Sequence, residues 1–186
     1  MGRRGRLNLI DERFFFVTTT IVGFTKVFTG DIYCDILIRN ILHYQKKYQF
    51  TVIAYVIMPS HFHWILEVNP KLGTISDIMR DIKKYSAWDI MEEIQKKDKT
   101  LANIFFEAGK GIKNHKRKFW MKRFDDEVIR NEKMFWTKLH YIHNNPLEAG
   151  LVNRPEHYKY SSAKDYISGV NSDLPVDTSL AGIEIK

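Results

Sequence analysis

The chain has 186 residues, 44% of them hydrophobic and 13% aromatic, enough to bury the core of one globular domain. It carries 29 Lys and Arg against 22 Asp and Glu, a net charge of +7 and a pI near 9.4, which favours nucleic acid or an anionic surface as partner. The single cysteine, Cys34, excludes a disulfide framework and a cysteine-based zinc site. No run reaches the roughly 18 apolar residues of a membrane span. Asp11 and Glu12 interrupt the basic-then-apolar start, so it does not read as a signal peptide, and a cytoplasmic setting is expected.

The first predicted element is a strand over Arg13–Gly23, "RFFFVTTTIVG", rich in β-branched and aromatic residues. From Asp31 to about Tyr48, Ile32, Ile36, Leu37, Ile41 and Tyr44 recur at helical spacing. Phe50–Met58 is a near-continuous apolar run suited to a central strand. Pro59-Ser60 then breaks the chain before a third strand, His61–Val68, antiparallel to the second. A helix starts near Thr74, where Thr-x-x-Asp resembles a capping box, and its stripe is Ile75, Ile78, Met79, Ile82 and Tyr85. It fades around Lys96–Thr100. The segment "RKFWMKRF", Arg117–Phe124, is the expected place of a fourth strand. A last helix covers Glu127–Asn144 and ends at "NNP", because the residue before a proline is biased away from the α region.

This order, β-α-β-β-α-β plus a C-terminal helix, predicts an α+β fold of the ferredoxin-like, split βαβ type: one antiparallel sheet with helices packed on it. Residues 1–12 form a basic arm containing Arg3, Arg4 and Arg6, and residues 13–168 form the folded domain. Residues 169–186 show no strong period, which predicts a loosely held tail.

Two clusters carry chemistry. In "VIMPSHFHWILEV" a strand places His61 and His63 on one face and Phe62, Trp64, Leu66 and Val68 on the other. Two imidazoles on one face can hold a divalent metal with open positions for substrate, or they can be the wet face of an edge strand. Glu67 shares that face, as a partner of the site or as an exposed carboxylate. In the last helix Phe135, Leu139 and Ile142 make the core stripe, and Tyr141 lies off it with Asn145 four residues on. That pair can serve one ligand, or be a surface tyrosine with an asparagine near a helix end. His140 and His143 receive no role. The tract Lys110–Phe124, "KGIKNHKRKFWMKRF", is crowded with Lys and Arg and holds no acid. Its cations suit phosphates, and Phe119 or Trp120 could stack on bases, although Trp120 and Phe124 read better as core.

Together, "VIMPSHFHWILEV", "FWMKRFDDEVIRNEKMFWTKLHYIHNNPLEAGLV" and "YKYSSAKDY" resemble the IS200-like tyrosine transposases. The likeness is greatest to the REP-associated branch of the HUH (His-hydrophobe-His) single-strand nucleases, and it covers about Glu12 to Gly169. It implies that His61 and His63 are ligands of Mg²⁺ or Mn²⁺, that Asn145 completes the metal site, and that Tyr141 is the nucleophile. It implies cleavage and rejoining of single-stranded or hairpin DNA through a 5′-phosphotyrosine, by either a homodimer or a monomer. Lys116, Arg117, Lys118, Lys122 and Arg123 would then track the DNA backbone. Met121 and Asp126 stand where relatives commonly carry Gln and Glu, which bears on DNA-sequence preference. The rival readings are a non-catalytic single-stranded DNA- or RNA-binding module and a zinc hydrolase. The second is weakened by the lack of further Cys, His or carboxylate at ligand spacing.

Overall fold

A computed structural model describes residues 12–111 and 117–179. Four strands form one antiparallel sheet in the order β2-β3-β1-β4: β1 Phe14–Thr20, β2 Thr51–Met58, β3 His61–Glu67 and β4 Asp125–Val128. With α1 (Asp31–Tyr48) between β1 and β2, and α2 (Ile75–Lys97) between β3 and β4, this is the expected split βαβ arrangement. No described helix is long and apolar enough to cross a membrane.

The pleat divides the apolar residues between two cores. Phe15, Val17, Tyr55, Ile57, Phe62, Trp64 and Leu66 point to the face covered by α1 and α2. Phe16, Ile53, Ala54, Val56, Met58 and Ile65 point to the other face, where Phe135, Leu139 and Ile142 of α4 (Glu132–Glu148) close over them. β3 is paired along its length with β2 on one side and β1 on the other, so its face is not an edge.

The ends of α1 and α2 obey local chemistry. Gln49 closes α1 in the left-handed conformation, φ 49°. At the start of α2 the Thr74 hydroxyl accepts from the Asp77 amide (3.2 Å) and the Asp77 carboxylate accepts from the Thr74 amide (3.1 Å), the expected capping box. Where α2 ends, a further helix begins that the sequence reading did not separate: α3, Lys99–Gly109. Asp98 both ends α2 and caps α3, its carboxylate accepting from the Leu101 amide at 2.8 Å. Gly109 is required there, since a Cβ would sit 2.7 Å from the Arg117 backbone.

Two expectations are corrected. The fourth strand lies at Asp125–Val128 and not in Arg117–Phe124, where Trp120 makes only an isolated bridge to Ile21. Phe119 and Trp120 are neighbours, yet both are buried in the same core, which a regular alternating strand does not allow. The helix expected last starts at Glu132, capped by Asn131, continues through Pro146 to Glu148, and is followed by a short helix, α5, Ala163–Ile167. Pro146 removes one amide, the one that would donate to the Ile142 carbonyl, and the helix still closes beyond it: Ala149 donates to Asn145 in the ordinary helical pattern, and Leu151 to Pro146.

The described part of the C-terminal segment, up to Ser179, is more firmly held than its aperiodic sequence predicts. Leu174 is fully buried and the Asp177 amide donates to the Val52 carbonyl at 2.9 Å. Residues 1–11 of the basic arm lie outside the described residues.

Candidate active site

The sheet register gathers the first part of the site. Thr18 lies opposite His63, and Thr20 opposite His61, on the face covered by α4. The two imidazoles sit side by side, ring centroids 4.7 Å apart. His61 is partly exposed at the strand end, its Nδ1 3.2 Å from the Ser60 hydroxyl. His63 is buried, with Nδ1 2.7 Å from the Thr18 hydroxyl and its ring stacked on Phe16.

α4 supplies the second part. Its buried stripe, Phe135, Leu139 and Ile142, fixes the helix on the sheet and so turns Tyr141 to the side. Tyr141 is 43% exposed, yet its hydroxyl lies 3.5 Å from His63 Nε2. The two rings meet edge to face with centroids 5.1 Å apart. Asn145 is half-buried one turn further along the helix.

Burial sets the protonation of the pair. It lowers the His61 imidazole from its ordinary range. It pushes His63 down to about 3, and the positive charges that His61 and Lys138 can carry add to the effect. Both rings are therefore neutral near pH 7, the form with a free lone pair. In the tautomer whose Nδ1–H donates to the Thr18 hydroxyl, the lone pair of His63 sits on Nε2, on the Tyr141 side. This donor set fits a divalent ion at His61 and His63. Among the described residues no three His, Cys, Asp or Glu cluster together.

The remaining candidates scatter. Glu67, two register positions beyond Ile65, ion-pairs with Arg13 at 3.0 Å, at the opposite end of β3 from His61. Lys116 lies outside the described residues. Arg117 and Lys118 are anchored beside α2 and α3, through Gln95 and the Phe105 carbonyl. Lys122 and Arg123 are exposed, on a loop that the Met121 amide fastens to the Thr20 carbonyl, hence at the His61 end of the sheet. Phe119 and Trp120 are core: Trp120 packs on Phe28, Phe62 and Phe119 and donates to the Ser86 hydroxyl at 3.2 Å. Neither offers a ring to a base. His143 is buried against Ser162, a structural position.

Three participants escaped the sequence reading: Thr18, Phe16 and Lys138, whose Nζ sits 4.6 Å above the Phe16 ring. Alternation places Phe16 and Thr18 on one face of β1, but only the pairing with β3 brings them to His63.

The sequence model of a family described as "Transposase IS200 like" matches residues 21–145, more than half of the chain. A REP-associated tyrosine transposase of Escherichia coli is 25% identical over 128 residues, covering 69% of this chain and 63% of the relative. A Haemophilus influenzae protein provisionally given the same name is 24% identical over 117 residues, 63% of this chain and 61% of its own. The matched regions thus span less than two thirds of either relative's length. A solved REP-associated tyrosine transposase bound to a REP hairpin superposes with a TM-score of 0.67. It is 22% identical, with 96% of this chain and 93% of that one covered, a likeness of fold.

Proposed function

The chain belongs to the IS200-like transposase family, and from that premise we propose that it cleaves and rejoins single-stranded or hairpin DNA through Tyr141. The observation that carries this reading is the Tyr141 hydroxyl 3.5 Å from His63 Nε2, on the face that also presents His61. The hairpin in the solved relative supports that class of substrate.

Tyr141 attacks the scissile phosphorus. A phosphorus–oxygen bond forms to the phenolic oxygen, and the bond to the departing 3′-oxygen breaks. The phenolic proton leaves the tyrosine, and the departing strand ends as a 3′-hydroxyl. The 5′ end stays on the enzyme as a phosphotyrosine, so a second 3′-hydroxyl can reverse the step without ATP. His61, His63 and Asn145 would hold Mg²⁺ or Mn²⁺, which when bound polarises the phosphate and offsets charge in the in-line transition state. The partial exposure of Tyr141 leaves it open to a strand, while α4 keeps its hydroxyl over the sheet. Lys122 and Arg123 lie at the same end of the sheet, where they can hold the backbone.

The test is a denaturation-resistant protein–DNA adduct. Labelled hairpin oligonucleotides with single-stranded flanks are incubated with the protein and Mn²⁺ or Mg²⁺. The wild type is expected to form the adduct, chelator to prevent it, and Tyr141→Phe to abolish it while leaving DNA binding intact. No adduct across a broad hairpin panel defeats the enzymatic reading, and an adduct that survives in Tyr141→Phe removes Tyr141 as nucleophile.

A further inference from the structure

Lys138 stands one helical turn before Tyr141 on α4, and its surroundings differ from those of a solvated surface lysine. Its side chain is only 24% exposed. Its ammonium lies 4.6 Å over the Phe16 ring, and Phe16 in turn stacks on His63 and meets Tyr141 edge to face. Its ion-pair partner is Glu127, which sits directly opposite Phe16 in the β1–β4 register and is half exposed. These five residues form a continuous row: Glu127, Lys138, Phe16, then His63 with Tyr141.

An ammonium has three N–H donors, and one carboxylate does not use them all. A cation held beside an aromatic face, paired with a single exposed carboxylate, can exchange that partner for another oxyanion at little cost. The oxyanion that this region meets, on the reading given above, is the DNA backbone on its way to Tyr141.

We propose that Lys138 is a phosphate-holding residue of the strand-transfer site, and that Glu127 occupies it in the free protein and yields it to a DNA phosphate. The phosphate replaces the carboxylate on the Lys138 ammonium, so the strand is laid along β4 and over Phe16 with its scissile bond at Tyr141. No bond is made or broken in this exchange. The inference rests on the proposed DNA reaction for its ligand, but its binding arm does not need the reaction to occur.

Lys138→Met, Lys138→Arg and Glu127→Gln separate this role from a structural one, because they move in opposite directions. Binding to a mixed-sequence single strand and to a flanked hairpin is measured against salt concentration, together with the rate of adduct formation. If Lys138 holds a phosphate, Lys138→Met binds several-fold more weakly, and the slope of log affinity on log salt falls by about 0.7. Lys138→Arg restores both, and Glu127→Gln binds more tightly than wild type by several-fold. Adduct formation in Lys138→Met slows roughly 10- to 100-fold at subsaturating DNA and recovers at high DNA, as loss of a positioning contact requires. If the pair merely ties β4 to α4, Lys138→Met and Glu127→Gln weaken binding alike and lower the melting temperature alike, which overturns the proposal. An unchanged salt slope in Lys138→Met overturns it as well. A wild type that binds the strands but forms no adduct defeats the enzymatic reading alone, and the salt slopes still decide the role of Lys138.

Discussion

At Thr18 a hydroxyl lies 2.7 Å from His63 Nδ1, while Nε2 of the same ring faces Tyr141. Replacing Thr18 by valine keeps the shape and the strand propensity but removes the partner of a buried ring nitrogen. Leaving that nitrogen unpaired costs about 1–3 kcal/mol. The ring is then free to turn or to change tautomer, so Thr18→Val is expected to need roughly 10- to 100-fold more Mn²⁺ for half-maximal adduct formation. A Mn²⁺ titration of the adduct rate, with melting curves as control, measures this. An unshifted Mn²⁺ midpoint in a folded variant would show that Thr18 does not orient His63.

Between elements, Asp81 plays the corresponding part. It lies on α2 and accepts from Lys47 at 2.8 Å and from Tyr48 at 2.6 Å, both on α1, while Arg80 reaches its other oxygen. Burial by itself raises the Asp81 carboxyl, but these three donors outweigh it and hold the group at about 2, below its ordinary 3.8. A depressed carboxyl contributes stability above its unfolded value and loses it as pH falls through the folded one. The α1–α2 contribution is therefore full above about pH 4 and gone near pH 2. Lys47 and Arg80 are more than half exposed, so screening limits it to about 1 kcal/mol. Urea midpoints of wild type and Asp81→Asn, followed from pH 7 down to 2, should start apart and converge in that window. Parallel curves would assign the acid sensitivity to other groups. The same scale shows what is legible in a sequence and what is not. α1 and the capping box of α2 follow from periodicity and side chains three residues apart, and both are found where those signals put them. Pro146 misleads because the rule about proline is only a bias: the helix gives up one amide bond there and still closes beyond it, through Ala149 to Asn145 and Leu151 to Pro146. β4 misleads because "RKFWMKRF" has strand-like aromatics, while the acidic Asp125–Val128 has almost no strand propensity and is held by pairing with β1. The site divides in the same way: alternation shows that His61 and His63 share a face, and the helical stripe shows that Tyr141 lies off the core. The burial of His63, and the presence of Thr18 and Lys138 beside it, depend on strand register and helix docking, which no local pattern encodes.

For the whole molecule the edges of the sheet matter most, because an open edge is a template for unwanted pairing. β2 would be such an edge, but the chain returns after α4 to cover it. Ile57 donates to the Tyr160 carbonyl and Ser162 to that of Tyr55, while the hydroxyls of Tyr158 and Tyr166 reach the carbonyls of Ile57 and Ile53. The strap continues past Gly169, and Leu174 is inserted into the core on the α1–α2 side of the sheet, opposite to the face that holds His63 and Tyr141. This placement separates stability from the site. Leu174→Ala removes a fully buried side chain and is expected to cost about 2–5 kcal/mol. Below its lowered melting temperature the variant should still form the Tyr141 adduct at the wild-type rate, because α4, β1 and β3 keep their register. Denaturant unfolding and single-turnover adduct assays on one preparation test both halves. A Leu174→Ala protein as stable as wild type would mean that the strap is not part of the core. One that is less stable, and also slow to form the adduct well below its melting point, would mean that the two faces of the sheet are coupled and that the strap helps to hold α4 in place.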